Sequence, residues 1–210
     1  MLKFVKCLGH NSIKITDKNV VIYFDPFQIK DQQDKGDLIF ITHNHYDHFS
    51  KEDILKLKKS DSKIIVTKDL VQDCLSLGFD EKDIFVVEPN NKYNIFGYEV
   101  DTIPAYNIDK KFHPKENDWV GYVITLGNAK YYVAGDTDKI KENEKVVADV
   151  VFLPVGGTYT MNSKEASELV KIINPKFAVP THYGVLVGTK QDAEDFCENL
   201  KGIVDCEILY

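Results

Sequence analysis

The amino-acid sequence predicts an α/β protein with two β-sheets and helices on their outer sides, which is a four-layer αββα sandwich. Three observations favour this fold class. Short apolar strands alternate with helices in the first third of the chain, the alternation returns in the last third, and the segment between them is almost entirely β-like. A dinucleotide-binding fold is not expected, because no Gly-x-Gly-x-x-Gly pattern follows the first strand.

The first part of the chain is expected to contain six strands and two helices. One helix is predicted to begin after Ser50, which is a good N-cap followed by acidic residues. The other is predicted from about residue 69 to 77 and ends at Gly78. The run 38–42 is mostly apolar, as in strands that are buried on both faces. The predicted strands are 2–8, 12–16, 20–24, 38–42, 63–67 and 83–87.

The second part of the chain is expected to be β-rich at first and then to alternate again. Helices are predicted at 163–173 and 190–200. The chain contains no repeat, low-complexity segment or linker, so we predict a single domain over residues 1–210. The β-segments predicted in this part are 91–103, 119–126, 129–134, 149–154, 176–181 and 203–209.

Composition and charge exclude several classes of protein. The formal net charge of −7 argues against nonspecific nucleic-acid binding, which depends on clustered Lys and Arg. No apolar stretch approaches the ~20 residues of a membrane span, and the N-terminal segment does not resemble a signal peptide. The four cysteines form no Cys-x-x-Cys pair, so we expect them to be reduced and buried. These features together predict a cytoplasmic location.

The segment 43–48 is the most informative motif in the chain. It holds three of the six histidines and one aspartate, directly after the apolar strand 38–42. His43 and His45 lie two apart in extended chain and so point the same way, while Asp47 and His48 lie past a turn. A histidine-rich polar loop is the alternative, but two ligand pairs in six residues favour a metal site. Imidazole and carboxylate ligands suit Zn²⁺, Mn²⁺ or Fe²⁺.

Two other strands end in residues that suit a metal site. Asp136 follows the strand 129–134, and His182 follows the strand 176–181. Taken alone, a Gly-Asp pair is usually a turn and a strand-end histidine is usually structural. If these strand ends lie at one edge, their side chains join the segment 43–48, and two cations about 3.5–4 Å apart would form a hydrolytic site.

These motifs resemble those of the metallo-β-lactamase superfamily, in the right order and over nearly the whole chain. The resemblance is closest to the small bacterial metal-dependent hydrolases similar to ascorbate-phosphate lactonase and to the N-acyl-phosphatidylethanolamine phospholipase D branch. It implies the αββα metallo-β-lactamase fold and a dinuclear metal site. The segments that carry it are 9–12, 25–26, 43–48, 135–137, 153–157 and 180–184.

The resemblance also implies a set of ligands. By the family pattern, His43 and His45 hold one metal ion. The other ion is held by Asp47, His48 and His182, and Asp136 bridges the two.

The chain departs from the family pattern at the third ligand of the first ion. Relatives offer a histidine as Pro-Ala-x-His, whereas this chain reads Pro-Ala-Tyr-Asn over 104–107. Either Asn107 binds weakly through its amide oxygen or His113, six residues later, is the ligand. A surface-loop histidine is the alternative for His113.

Asp25 and the pair Gly156-Gly157 are each open to two interpretations. Asp25 ends the strand 20–24 and either orients a ligand imidazole through its free N–H or forms an Asp-Pro turn. His10 is expected to be structural. The pair Gly156-Gly157 either brings backbone amides close to a substrate anion or forms a tight turn.

The function predicted from these motifs is a metal-dependent hydrolase acting on a small molecule. Two ions, Zn²⁺ or else Mn²⁺ or Fe²⁺, would lower the pKa of a bridging water towards ~7 and polarise the scissile oxygen. Asp136 is expected to bridge the ions and Asp47 to position the nucleophile and move its proton. The motifs do not choose among an ester, a lactone, an amide and a phosphodiester. The alternatives are a mononuclear iron oxygenase or redox protein on the same fold, and a metal-binding module without turnover.

Overall fold

Two β-sheets organise the chain, one in each of the two compact units into which it divides, Met1–Glu88 and Pro89–Tyr210. The computed structural model describes residues 1–30 and 32–210. The division falls in the short connection between the last strand of the first sheet and the first strand of the second. The prediction of a single domain over residues 1–210 stays a prediction.

The first unit contains a six-stranded sheet whose strands follow one another in chain order. Its first three strands pair antiparallel, and from the third strand onward the pairs are parallel. The strands are β1 (Val5–Gly9), β2 (Ser12–Asp17), β3 (Val20–Phe24), β4 (Leu38–Phe40), β5 (Lys63–Thr67) and β6 (Ile84–Val87).

Two helices pack on this sheet, α1 (Lys51–Leu57) and α2 (Val71–Ser76). The predicted N-cap is confirmed, because the Ser50 side chain accepts a hydrogen bond from the backbone N–H of Asp53. The predicted second helix begins instead with a 3₁₀ turn at Lys68–Leu70. Buried apolar residues of both helices form one core cluster with the strands, which stabilises the unit by removing apolar surface from water.

The second unit contains a seven-stranded sheet in which the strand order is also sequential. The first four strands pair antiparallel and the last four pair parallel. The strands are β7 (Lys92–Ile95), β8 (Tyr98–Pro104), β9 (Val120–Leu126), β10 (Ala129–Val133), β11 (Val150–Pro154), β12 (Phe177–Thr181) and β13 (Asp205–Cys206).

The helices α3 (Ser163–Ile173) and α4 (Lys190–Leu200) have the predicted bounds. Both helices begin with a capping box, in which Asn162 and Glu165 satisfy each other's backbone N–H groups at the start of α3. Both helices contribute to a buried core cluster with β11 and β12, in which Leu169 and Phe196 are fully buried.

Strand direction explains why polar residues gather within each unit. In the first unit β3 and β4 are parallel, so Asp25 and the segment 43–48 follow strands that end at the same edge. In the second unit β8 and β10 both pair antiparallel with β9, and β10 to β12 are parallel. Residues that follow β8, β10 and β12 therefore also share one edge, as the sequence predicts.

The expectations for the segment 203–209 and for the cysteines need correction. Only Asp205–Cys206 is β-strand, which pairs with β12 at two positions. The prediction of four reduced cysteines is wrong for Cys197 and Cys206, which form a disulfide between α4 and β13. Their spacing in the sequence forms no recognisable motif. A tight turn after Leu200 brings the two cysteines together. Cys7 and Cys74 are buried free thiols, as expected.

Among the described residues, 1–30 and 32–210, no helix has the length and apolar character needed to cross a membrane.

Candidate metal centre

The first unit brings four predicted ligands together in the segment that follows β4. The ring centroids of His43 and His45 are 4.7 Å apart, and those of His43 and His48 are 4.0 Å apart. The Nε2 atom of His48 lies 3.7 Å from the Oδ2 atom of Asp47. The turn is closed by the backbone N–H groups of His48 and Phe49, which donate to the carbonyl of His45 at 3.0 and 2.7 Å.

Asp25 orients this cluster, which favours the first of its two interpretations. Its carboxylate is fully buried, and its Oδ2 atom lies 2.7 Å from Nδ1 of His48. The Thr42 hydroxyl donates to the same oxygen at 2.7 Å and lies 2.9 Å from Nδ1 of His43. Because both Nδ1 atoms are held in this way, the Nε2 atoms are the ones oriented for a metal ion.

His10 is a residue whose contact the sequence did not predict. It sits in the tight turn between β1 and β2 with a φ of 50°, and only 1% of its surface is exposed. Its Nε2 atom lies 2.9 Å from the Oδ2 atom of Asp47. In the sequence, His10 belongs to the segment 9–12 that carries the family resemblance, but this does not reveal a partner 37 residues away.

The second unit brings the other three predicted ligands together around one carboxylate oxygen. The Oδ2 atom of Asp136 lies 3.1 Å from Nε2 of His182 and 3.3 Å from Nε2 of His113. All three side chains are at most 3% exposed. A carboxylate and two imidazoles this close need a cation or a proton among them, because lone pairs would otherwise face one another.

The amide oxygen of Asn107 is directed at His113. Its Oδ1 atom lies 3.2 Å from both the backbone nitrogen and Nδ1 of His113, and its Nδ2 group donates to Asp138 and to the carbonyl of Tyr159. Of the two residues that the sequence offers for the third ligand position, the arrangement therefore favours His113 over Asn107.

The position of His182 depends on a close approach by Gly156. A Cβ atom at residue 156 would lie 2.4 Å from the carbonyl oxygen of His182 and 3.0 Å from the Val187 side chain. Gly156 therefore serves close packing, and residue 157 has a φ of 78° in the turn, as expected of a tight turn.

A pair of tyrosines holds the residue next to His182. The rings of Tyr183 and Tyr210 stack with centroids 4.7 Å apart. Each hydroxyl donates to the other residue's carbonyl, at 3.1 Å from Tyr183 and 2.6 Å from Tyr210. The sequence does not indicate this pair, because its members are 27 residues apart and Tyr210 belongs to no motif.

The donor sets of both clusters fit a first-row metal ion. Each contains buried imidazole nitrogen and carboxylate oxygen and no thiolate, which suits Zn²⁺, Mn²⁺ or Fe²⁺ better than Mg²⁺ or Ca²⁺. In both units a hydrogen-bond partner lies at Nδ1 of a predicted ligand, His48 or His113, as is usual for imidazoles that bind metal ions.

Two mixed sheets with helices and histidine–aspartate clusters at the strand ends are the features of a metal-dependent hydrolase. The family model for the "Beta-lactamase superfamily domain" matches residues 4–182, and the chain belongs to this superfamily. The matched region crosses the division between the two units.

Individual relatives agree with this assignment. A UPF0173 metal-dependent hydrolase of Thermoplasma acidophilum is 32% identical over 200 residues, which cover 90% of this chain and 86% of that protein. The crystal structure of a Parabacteroides distasonis protein assigned as a metal-dependent hydrolase matches with a TM-score of 0.85 and 30% identity, over 97% of this chain and 91% of that one.

The same fold also occurs in a protein of different chemistry. CmlA, a diiron β-hydroxylase of Streptomyces venezuelae, is 17% identical with a TM-score of 0.77, over 98% of this chain and 52% of that one. At this identity only the fold is shared. The predicted fold class and the predicted class of enzyme, a metal-dependent hydrolase of the metallo-β-lactamase superfamily, are confirmed by the family and its relatives.

Proposed function

We propose that the chain hydrolyses a small ester, lactone, amide or phosphodiester with two metal ions. The observation that best supports this is the approach of two imidazole Nε2 atoms to one buried carboxylate oxygen of Asp136, at 3.1 and 3.3 Å. The ligands we propose are His43, His45, Asp47, His48, His113, Asp136 and His182. Zinc is the proposed metal, with manganese or iron as alternatives, because nitrogen and oxygen donors are combined.

Individual residues have separate proposed roles in this reaction. Bound ions would supply hydroxide at neutral pH and would polarise the scissile oxygen. Asp47 is proposed to position the nucleophile and to accept its proton, since its carboxylate keeps a fixed orientation through His10 at 2.9 Å. Asp136 would hold metal together with His113 and His182, whose Nε2 atoms lie 3.3 and 3.1 Å from its Oδ2 atom.

The cytoplasmic location stays a prediction from the sequence. The pairing of Cys197 with Cys206 removes the argument from reduced cysteines, because disulfides persist in oxidising compartments. The small-molecule substrate is likewise a proposal, drawn from the hydrolase class.

The test combines metal analysis with hydrolysis assays. The purified protein should contain more than one equivalent of Zn, Mn or Fe per chain, and it should hydrolyse at least one member of a panel of nitrophenyl esters, lactones, amides and phosphodiesters. Chelation should abolish the activity and added metal should restore it. The double variant His43→Ala with His45→Ala should lose metal, whereas Asn44→Ala, an exposed position between the two histidines, should not.

Two results would contradict the proposal. One is hydrolysis that survives exhaustive chelation, which would require a nucleophile other than metal-bound hydroxide. The other is an unchanged metal content in the double histidine variant. A single iron per chain with oxygen consumption would instead support the oxygenase alternative, and retained metal without any turnover would support a binding module.

A further inference from the structure

We infer that Asn107 and Asp138 form a relay that positions His113 for metal binding. This inference rests on the proposed function, because it requires His113 to bind a metal ion. Asn107 occupies the position where relatives of the chain are expected to carry a ligand histidine. In this chain it supports the ligand and does not replace it.

The hydrogen bonds of Asn107 fix which way its amide points. The backbone N–H of His113 can only donate, and it lies 3.2 Å from Oδ1 of Asn107. The Nδ2 group faces two acceptors, the carbonyl of Tyr159 at 2.9 Å and the carboxylate of Asp138 at 3.2 Å. Exchanging the oxygen and nitrogen of the amide would break all three contacts, so the orientation is determined by its partners.

The orientation of the amide in turn fixes the tautomer of His113. Oδ1 of Asn107 only accepts hydrogen bonds, and it lies 3.2 Å from Nδ1 of His113. Nδ1 therefore carries the proton, and the lone pair of the neutral ring is on Nε2. That atom lies 3.3 Å from the Oδ2 atom of Asp136, on the side where the proposed metal ion binds.

Asp138 holds Asn107 in place from the other side. Its two oxygens accept from Nδ2 of Asn107, from the backbone N–H of Ile108 at 2.8 Å and from the Lys110 ammonium at 2.5 Å. Its own backbone N–H donates to the carbonyl of Tyr106 at 3.0 Å. Asp138 is 6% exposed, so this network ties the loop after β8 to the turn that carries Asp136.

The relay makes Asn107 and Asp138 positioning residues. Asn107→Ala should lower the affinity for one Zn²⁺ ion about 10–100-fold, because loss of such a partner has effects of this size on metal sites. The matched control is Asn143→Ala. Asn143 is fully buried and bonds the same turn, through Nδ2 to the carbonyl of Asp138 at 2.9 Å and through Oδ1 to the N–H of Ile140 at 3.0 Å. It should lower the melting temperature without changing the affinity for Zn²⁺.

A swap variant separates positioning from packing. Asn107→Asp combined with Asp138→Asn keeps an acceptor opposite Nδ1 of His113 and keeps the net charge. It should recover part of the Zn²⁺ affinity lost in Asn107→Ala. Recovery is incomplete because a carboxylate oxygen then faces the carbonyl of Tyr159, which accepts from Nδ2 of Asn107 at 2.9 Å in the original protein. The cobalt-substituted proteins should follow the same order, with a visible ligand-field spectrum altered in Asn107→Ala and restored in part in the swap.

Affinity is measured for Zn²⁺ by competition with a chromophoric chelator, with His113→Ala as the reference. Loss of affinity in His113→Ala and in Asn107→Ala, with partial recovery in the swap, is the expected result. If His113→Ala weakens Zn²⁺ binding and Asn107→Ala does not, the relay is wrong and the proposed ligand stands. If Asn107→Ala and Asn143→Ala weaken it equally, Asn107 is only structural. If His113→Ala has no effect, the ligand assignment fails and the relay fails with it.

Discussion

At the scale of single residues, one buried carboxylate orients two of the four predicted ligands of the first unit, His48 directly and His43 through Thr42. Asp25 has a φ of 44°, an unusual conformation for a residue other than glycine. Its oxygens lie within 2.8 Å of four groups, which are Nδ2 of Asn11, the N–H and hydroxyl of Thr42, and Nδ1 of His48. Backbone strain of this kind persists where the surroundings fix the conformation, and it is frequent at functional sites.

We predict that Asp25→Asn weakens metal binding by about 10–100-fold, because a neutral amide orients and polarises the His48 imidazole less well than a carboxylate does. The measurement is a Zn²⁺ competition titration alongside thermal melting. Asp53→Asn is the control, since Asp53 is also buried but its carboxylate accepts hydrogen bonds from the backbone N–H groups of Gln28 and Ile29 rather than from a histidine. Equal loss of affinity in both variants would show that Asp25 acts only through stability.

At the scale of secondary-structure elements, the sequence predicts the features that depend on neighbouring residues, such as helix starts. The predicted bounds of α3 and α4 agree with the structure, in which each helix begins at a capping box formed by residues three apart. The strand 203–209 was too long because its apolar pattern continues beyond residue 206, whereas pairing with β12 stops at Cys206. The disulfide was missed because it depends on how the chain returns after α4.

We predict that the disulfide stabilises the second unit by about 2–3 kcal/mol, the value expected for a closed loop of this length. The double variant Cys197→Ala with Cys206→Ala should lose that much free energy of unfolding in a denaturant titration. The difference should disappear when a reductant is added to both proteins. A variant as stable as the original under oxidising conditions would contradict the prediction.

Counting thiols gives an independent check. Burial raises the pKa of Cys7 and of Cys74 to about 12, with a further contribution from the Asp73 charge at Cys74. Both thiols should therefore react slowly with thiol reagents at pH 8 in the folded protein. Unfolding without a reductant should release two thiols, and unfolding with a reductant should release four. Four reactive thiols in the unreduced, unfolded protein would contradict the disulfide.

At the scale of the whole molecule, the sequence indicates candidate ligands more readily than it indicates the residues that contact them. The segment 43–48 and the strand-end residues Asp136 and His182 stand out because ligand types are rare and follow apolar strands. The supports are ordinary residues whose role appears only in three dimensions. Asn107 contacts Asp138, which is 31 residues away, and His10 contacts Asp47, which is 37 residues away. Such partners cannot be identified from local pattern, and the ligand set itself stays a prediction.

Metal binding should stabilise the folded protein against thermal unfolding. An ion that binds only the folded state contributes about 2.7 kcal/mol when its free concentration is 100 times Kd. For a chain of this length, 1 kcal/mol corresponds to about 2–4 °C in Tm, so Zn²⁺ should raise Tm by about 5–11 °C over the chelated protein. His182→Ala removes a proposed ligand and should reduce this increase, whereas Asn44→Ala should preserve it. Calorimetry with and without chelator measures the shift, and metal analysis of the same samples records occupancy. If Tm is the same in the metal-loaded and metal-free protein, the buried histidine and aspartate clusters do not bind metal in the folded state.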